Sequence, residues 1–294
     1  MFDQEHIFIG TLRRMSVTYT GVLAVPEATV EFVAGLLEQV RRAKGTRWRA
    51  LACVEQTVLA LRWFVDGIRV AQLALDNAIG RTTAYDYLHE VIDALAGQAP
   101  SLHGALLAAK MAVHEHVSGD GTLIATDRIS EPGPTPQKGK PSRRVDLWWS
   151  GKHHHHGGNV QVVTVPDGWP IWTSPVRPGR EHDVTALRTH PEMVPALTDW
   201  VSDDRPVLTD LGYEGESAVA TTAVKKPAGG RLTEAQRAAN KAHNGKRALG
   251  ERGNSLLKMT FKALRRRVGL CPWRIGTIVA AALVLLRHEY RRTT

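Results

Sequence analysis

The sequence predicts an all-α region over residues 1–100 followed by an α/β region over residues 101–294. Two observations carry this. From Pro26 to about His116 apolar residues recur at helical spacing with no strand signal between them, and beyond that point apolar runs and period-two alternation take over. In the first region helices are expected over 26–42, 48–66, 68–77 and 81–95, with a further helical stretch from about residue 101 to 116. In the second, strands are expected at 122–126, 160–165, 170–176 and 206–209. Between the first two strands EPGPTPQKGKPSRR, residues 131–144, is rich in Pro, Gly and cations and reads as an exposed loop suited to touching phosphate.

A chain of 294 residues with 43% hydrophobic residues can build a substantial core in one large and one small domain or in two. Its net charge of +9, from 38 Lys and Arg against 29 Asp and Glu, favours an anionic partner, either nucleic acid or an acidic surface. The longest apolar stretch, TIVAAALVLL at 277–286, is about half of the ~20 residues that span a bilayer, and MFDQEHIFIG at the start lacks the order of a signal peptide. The expected compartment is the cytoplasm, with no membrane partner. Cys53 and Cys271 each sit among apolar neighbours and carry no functional weight.

Within VAQLALDNAIGRTTAYDYL, residues 70–88, an apolar helix breaks at Ala78-Ile79-Gly80 and a second helix opens on Arg81, Thr82 and Thr83. A helix-turn-helix has this form, and it would present Arg81, Thr82, Thr83 and Tyr85 to DNA. Ala78 stands where that motif usually has Gly, and Asp86 where it has a basic residue; two core helices meeting at a tight corner fit the pattern nearly as well. Further on, KHHHHGGNVQVV, residues 152–163, places four histidines in mid-chain and runs directly into an apolar strand pattern. Neighbouring side chains on an extended chain alternate in direction, so His153, His154, His155 and His156 cannot converge on one zinc ion. They read as the polar end of a hairpin.

Three acidic residues stand in distinctive settings: Asp120 in GDGTLIATDR, Asp210 at the end of the strand PVLTD, and Glu251 in GERGNSLLKMTFKALRRR, which reads as a helix. Singly, a turn, a cap and a solvated helix charge explain them. Together they suit two-metal phosphodiester cleavage, in which carboxylates from separate elements converge on hard divalent ions. At helical spacing Glu251, Asn254, Ser255, Lys258 and Lys262 share one face, suited to anions, while Leu257, Phe261, Leu264 and Val268 form an apolar stripe.

As a set, DGT at 120–122, WWSGKHHHHGGNVQVV at 148–163, PGREHD at 178–183, DLGYEG at 210–215, VKKP at 224–227 and GERGNSLLK at 250–258 resemble the DDE transposases of bacterial insertion sequences, in the branch related to harbinger-type endonucleases. The resemblance runs from roughly Ala52 to the C-terminus. It implies an RNase H-like mixed-sheet catalytic domain over 101–294, preceded by a helical DNA-binding domain over 1–100. It assigns the catalytic and metal-binding triad to Asp120, Asp210 and Glu251, with two Mg²⁺, or Mn²⁺, as cofactor. Asp127 is a rival for the first ligand, because residues 116–119 are not an apolar run; Asp120 and Asp127 face opposite sides of a regular strand. The resemblance further implies phosphate contacts by Lys152, Lys258 and Lys262 and by one or two of the histidines, and a capping and supporting role for Asp183. The implied activity is binding of the element's terminal inverted repeats, metal-dependent strand cleavage and strand transfer by a dimer on double-stranded DNA. A binding-only regulator and a general RNase H-like nuclease are the alternatives.

Overall fold

The computed structural model describes residues 21–46, 48–202, 204–265 and 269–294. The stretch read against a signal peptide and Val268 of the apolar stripe lie outside the described residues. Helix α1 (Glu27–Ala43) leads to α2 (Cys53–Leu61), which runs on into one π-helical turn at Arg62–Asp66, then α3 (Val70–Asp76), α4 (Arg81–Ala96) and α5 (Leu102–Met111). The second helix therefore begins later than residue 48, and Trp48 stands 91% exposed in the loop before it. That loop is tied down by charge. Glu90 of α4, buried, accepts from Arg49 at 2.7 Å, Gln56 at 2.9 Å and Lys44 at 3.3 Å.

Between α3 and α4 the chain turns through Ala78 at φ 51, the left-handed region that costs an L-residue roughly 1 kcal/mol or more. This explains why the corner favours glycine. Ala78→Gly is expected to raise stability by roughly 1 kcal/mol, read as a shift in the denaturant midpoint at constant slope; a lower midpoint would show that the turn is not strained.

The sheet is built from β1 (Val117–Ala125), β4 (Trp149–Ser150), β5 (His155–Thr164), β6 (Pro170–Thr173), β7 (Arg177–Pro178) and β8 (Val207–Leu208). A separate hairpin pairs β2 (Pro132–Gln137) with β3 (Lys140–Asp146). This corrects the loop expected there. Gly139 at φ 75 closes the turn, the irregular register accommodates the prolines, and the arm projects with Lys138, Lys140, Arg143 and Arg144 exposed. The remaining helices are α6 (Asp183–Thr189), α7 (Met193–Trp200), α8 (Glu234–Thr260), α9 (Lys262–Arg265) and α10 (Ile275–Glu289).

Strand β5 lies antiparallel to β1 over Ser118↔Thr164 to Ala125↔Gly157, β6 is antiparallel to β5, and β8 is parallel to β1 at Val117↔Val207. An isolated parallel bridge from Leu208 to Thr221 extends the sheet past β8. Three antiparallel strands with a parallel one beside the first is the RNase H-like arrangement. The histidine run is a hairpin end as expected: residues 151–154 turn, with His154 at φ 55, and His155 and His156 open β5 opposite β4.

Helix α8 crosses the sheet, and two glycines let it approach. A Cβ on Gly250 would lie 2.8 Å from Ser118 Cβ, and one on Gly253 would lie 2.5 Å from Thr164 Cγ2. The apolar 277–286 segment lies within α10, buried against α4 and β6, and the hydrophobic core runs without a break from α1–α5 through the sheet to α10. Among the described residues no helix is long and apolar enough to cross a membrane.

Candidate active site

Asp120 lies inside β1, opposite Val162 of β5, so the strand starts earlier than its apolar pattern suggests. Cross-strand pairing to β5 holds the Gly-Asp-Gly segment extended where its own residues would not, and β8 pairs with β1 just before it, at Val117 and Ser118. Asp210 follows β8, the strand parallel to β1, and its Oδ1 accepts from Gly212 N–H at 2.7 Å. Asp183 opens α6. The N-cap position is His182, so Asp183 stands one residue past the capping position expected of it; its side chain accepts from Asn159 Nδ2 at 2.8 Å. Asp127 lies past the end of β1, exposed, in a cleft shared with Arg81 and Tyr85.

Burial first, then the charges of Asp210 and Asp183, and after a counteracting Arg247 that of Glu251, push the Asp120 carboxyl up to about 6. Burial and the neighbouring carboxylates together disfavour the charged form of Asp120. Asn254 of α8 donates to Asp120 Oδ2 at 2.8 Å, and its own Oδ1 is buried without a protein partner. Glu251, on the same helix, is 55% exposed at its side chain and paired with Arg247 at 2.9 Å. As placed, no three His, Cys, Asp or Glu side chains among the described residues are grouped to hold a metal ion.

Lys258 is half-buried and donates to the Leu123 carbonyl of β1 at 3.1 Å. Burial lowers its pKa while the nearby Asp120 raises it. Lys262 departs from the shared face expected of it. The helix ends at Phe261, at φ −110 and ψ 103, because that ring turns into the core beside Phe64, and Lys262 reaches Asp66 at 3.6 Å instead. Lys152 and His153 line a cleft with Gly121, Asn159, Arg180, His182 and Asp183. Burial, then the charges of Lys152, His155 and Lys258, lower the His153 pKa against the pull of Asp183. Arg81 and Thr82 are exposed on the first turn of α4, with Thr83 and Tyr85 half-buried.

Sequence reasoning missed Asn159, Gln161 and Tyr213. The available signal was two amides at i and i+2 on one face of the otherwise apolar strand NVQVV.

Residues 120–287 match the family model described as DDE superfamily endonuclease. Three solved structures show similarity: the Mos1 transposase paired-end complex with left transposon end, a pre-cleavage Mos1 transpososome and the Mos1 strand transfer complex. Their identities to this chain are 11%, 12% and 12%, with TM-scores of 0.21, 0.22 and 0.21. The matches cover 76%, 85% and 83% of this chain and 80%, 81% and 78% of those chains. No curated protein matches.

Proposed function

The chain belongs to the DDE superfamily of endonucleases, and from that premise we propose that it is a DNA transposase. It binds the terminal inverted repeats of an insertion sequence, cuts DNA there and joins the freed 3′-hydroxyl to target DNA. The observation that carries the reading is the carboxylate of Asp120, set in mid-sheet and desolvated, with the charges of Asp210, Asp183 and Glu251 acting on it. Such a concentration of negative charge persists in a fold when a cation is its partner.

In this reading Asp120, Asp210 and Glu251 hold two Mg²⁺, or Mn²⁺, ions. Oxygen donors, excess negative charge and the unpartnered Asn254 Oδ1 suit a hard, hydrated cation. When bound, the ions supply Lewis acidity to the attacking water and the leaving oxygen. The chain's own residues do the rest. Asn254 fixes Asp120 against rotation, Glu251 joins the pair on release from Arg247, and Lys258 and Lys152 flank the path of the scissile strand. Arg81, Thr82, Thr83 and Tyr85 on α4 read the element ends, and the protein acts as a dimer on double-stranded DNA in the cytoplasm.

The test uses labelled DNA carrying the sequences that flank this chain's own gene, with Mg²⁺ or with EDTA. Metal-dependent cuts at the element ends are expected. Binding without cutting would favour a regulator, and cutting without end preference a general nuclease. Replacing Lys138, Lys140, Arg143 and Arg144 by Ala should weaken binding to all sequences alike. The slope of log K against log salt should become shallower by roughly 0.9 for each cation that meets a phosphate. An unchanged slope, measured by filter binding across a salt series, would take the hairpin arm out of the interface.

A further inference from the structure

Four side chains form a hydrogen-bonded relay that ends at the acidic site. The Tyr213 hydroxyl donates to Gln161 Oε1 in a short bond, Gln161 Nε2 donates to Asn159 Oδ1 at 3.1 Å, and Asn159 Nδ2 donates to Asp183 Oδ1 at 2.8 Å. Every donor points the same way, so the relay terminates on the negative charge of Asp183 and each bond polarises the next. Tyr213 is 1% exposed, Gln161 2% and Asn159 7%. Buried amides are costly unless paired, and these two are paired at both ends.

The carboxylate held by this relay is wedged between the two segments that carry Asp120 and Asp210. A Cβ on Gly121, the residue after Asp120, would lie 2.0 Å from Asp183 Oδ1; one on Gly212 would lie 3.2 Å from Asp183 Oδ2. Gly212 is the residue whose N–H holds Asp210, and Tyr213, where the relay starts, comes next in the chain. The contacts close a ring: from the turn after Asp210, across β5 to the start of α6, and back onto β1 and that same turn. Both glycines leave the space that Asp183 fills.

We propose that Asp183, held by the buried relay Tyr213–Gln161–Asn159, is a positioning residue that sets the spacing between the Asp120 and Asp210 carboxylates. The inference rests on the reading that those two carboxylates bind divalent ions. Tyr213 is buried and its hydroxyl donates to Gln161, so it reaches Asp183 through the relay.

The experiment is Mn²⁺ binding to the full chain by isothermal titration calorimetry, with melting temperature and end-DNA binding measured alongside. Tyr213→Phe keeps the buried ring and removes the first donor; Gly121→Ala pushes Asp183 from the other side. Both should weaken Mn²⁺ binding roughly tenfold or more, as loss of outer-shell support does, with DNA affinity unchanged. Trp200→Phe, a buried change on α7, controls for general destabilisation and should bind Mn²⁺ like the parent. If Tyr213→Phe fails to fold, Gly121→Ala decides alone. Parent-like Mn²⁺ binding by the relay variants, with binding lost in Asp120→Asn, overturns the relay and leaves the metal-site reading standing. No Mn²⁺ binding by the parent, or equal binding by Asp120→Asn, overturns both.

Discussion

Asp120→Asn is expected to abolish cleavage and at the same time to make the protein more stable at neutral pH. The carboxyl sits at about 6 in the fold against an ordinary 3.8, so the fold favours its protonated form. Its ionisation therefore costs stability. That cost is absent below the unfolded value, grows as pH rises from about 4 to 6, and is constant above. Removing it is worth about 2–3 kcal/mol at pH 7.5, and Asn keeps an oxygen to accept from Asn254 Nδ2. Melting curves should show Asp120→Asn above the parent by several degrees at pH 7.5 and level with it near pH 4. Added Mg²⁺ should raise the parent's melting temperature and narrow the gap, because a ligand stabilises the state that binds it. A variant less stable than the parent at pH 7.5 without metal would show that the fold does not penalise the ionised Asp120 carboxylate.

The elements that patterning revealed are those whose own residues specify them. The 81–95 helix and the corner before it follow from periodicity and turn chemistry and stand where those signals put them, while the strand expected from residue 160 begins five residues earlier, at His155. The hairpin at β2 and β3 was not legible, since Pro and Lys have low strand propensity and only closure around Gly139 and pairing across it make the arm. The start of β1 was hidden for a related reason: the Gly-Asp-Gly segment is held by pairing to β5, and its own side chains are small or polar and carry no strand signal. Asp120, Asp210 and Glu251 could be picked out because a known motif set surrounds them. Of the relay, Asn159 and Gln161 left a local trace, two amides at i and i+2 on an apolar strand, whereas Tyr213 left none, because its partner Gln161 lies 52 positions away in the chain. Lys262 shows the converse error. Helical spacing was extended past the end of α8 at Thr260, through Phe261, whose burial ends the helix.

Glu251→Gln and Lys258→Ala should fail in different ways, and the structure says why. Glu251 is more than half exposed and its partner Arg247 lies one turn away on the same helix. Such a pair contributes only about 0.3–0.5 kcal/mol, so Glu251→Gln should fold and melt like the parent. Losing an outer-shell partner of a metal already costs about 10–100-fold, and loss of a direct ligand, the role proposed for Glu251, should exceed that, leaving cleavage below detection with end binding intact. Lys258 is different in kind. It is half-buried on the Leu123 carbonyl, so Lys258→Ala leaves that acceptor short of a partner at a cost of about 1 kcal/mol and removes a cation from the path proposed for the strand. Partial cleavage with weaker end binding and a slightly lower melting temperature is expected. The measurement is cleavage and gel-shift binding of one end DNA by the parent and both variants in Mg²⁺, with melting curves on the same preparations. Cleavage by Glu251→Gln equal to the parent's would remove Glu251 from the metal site.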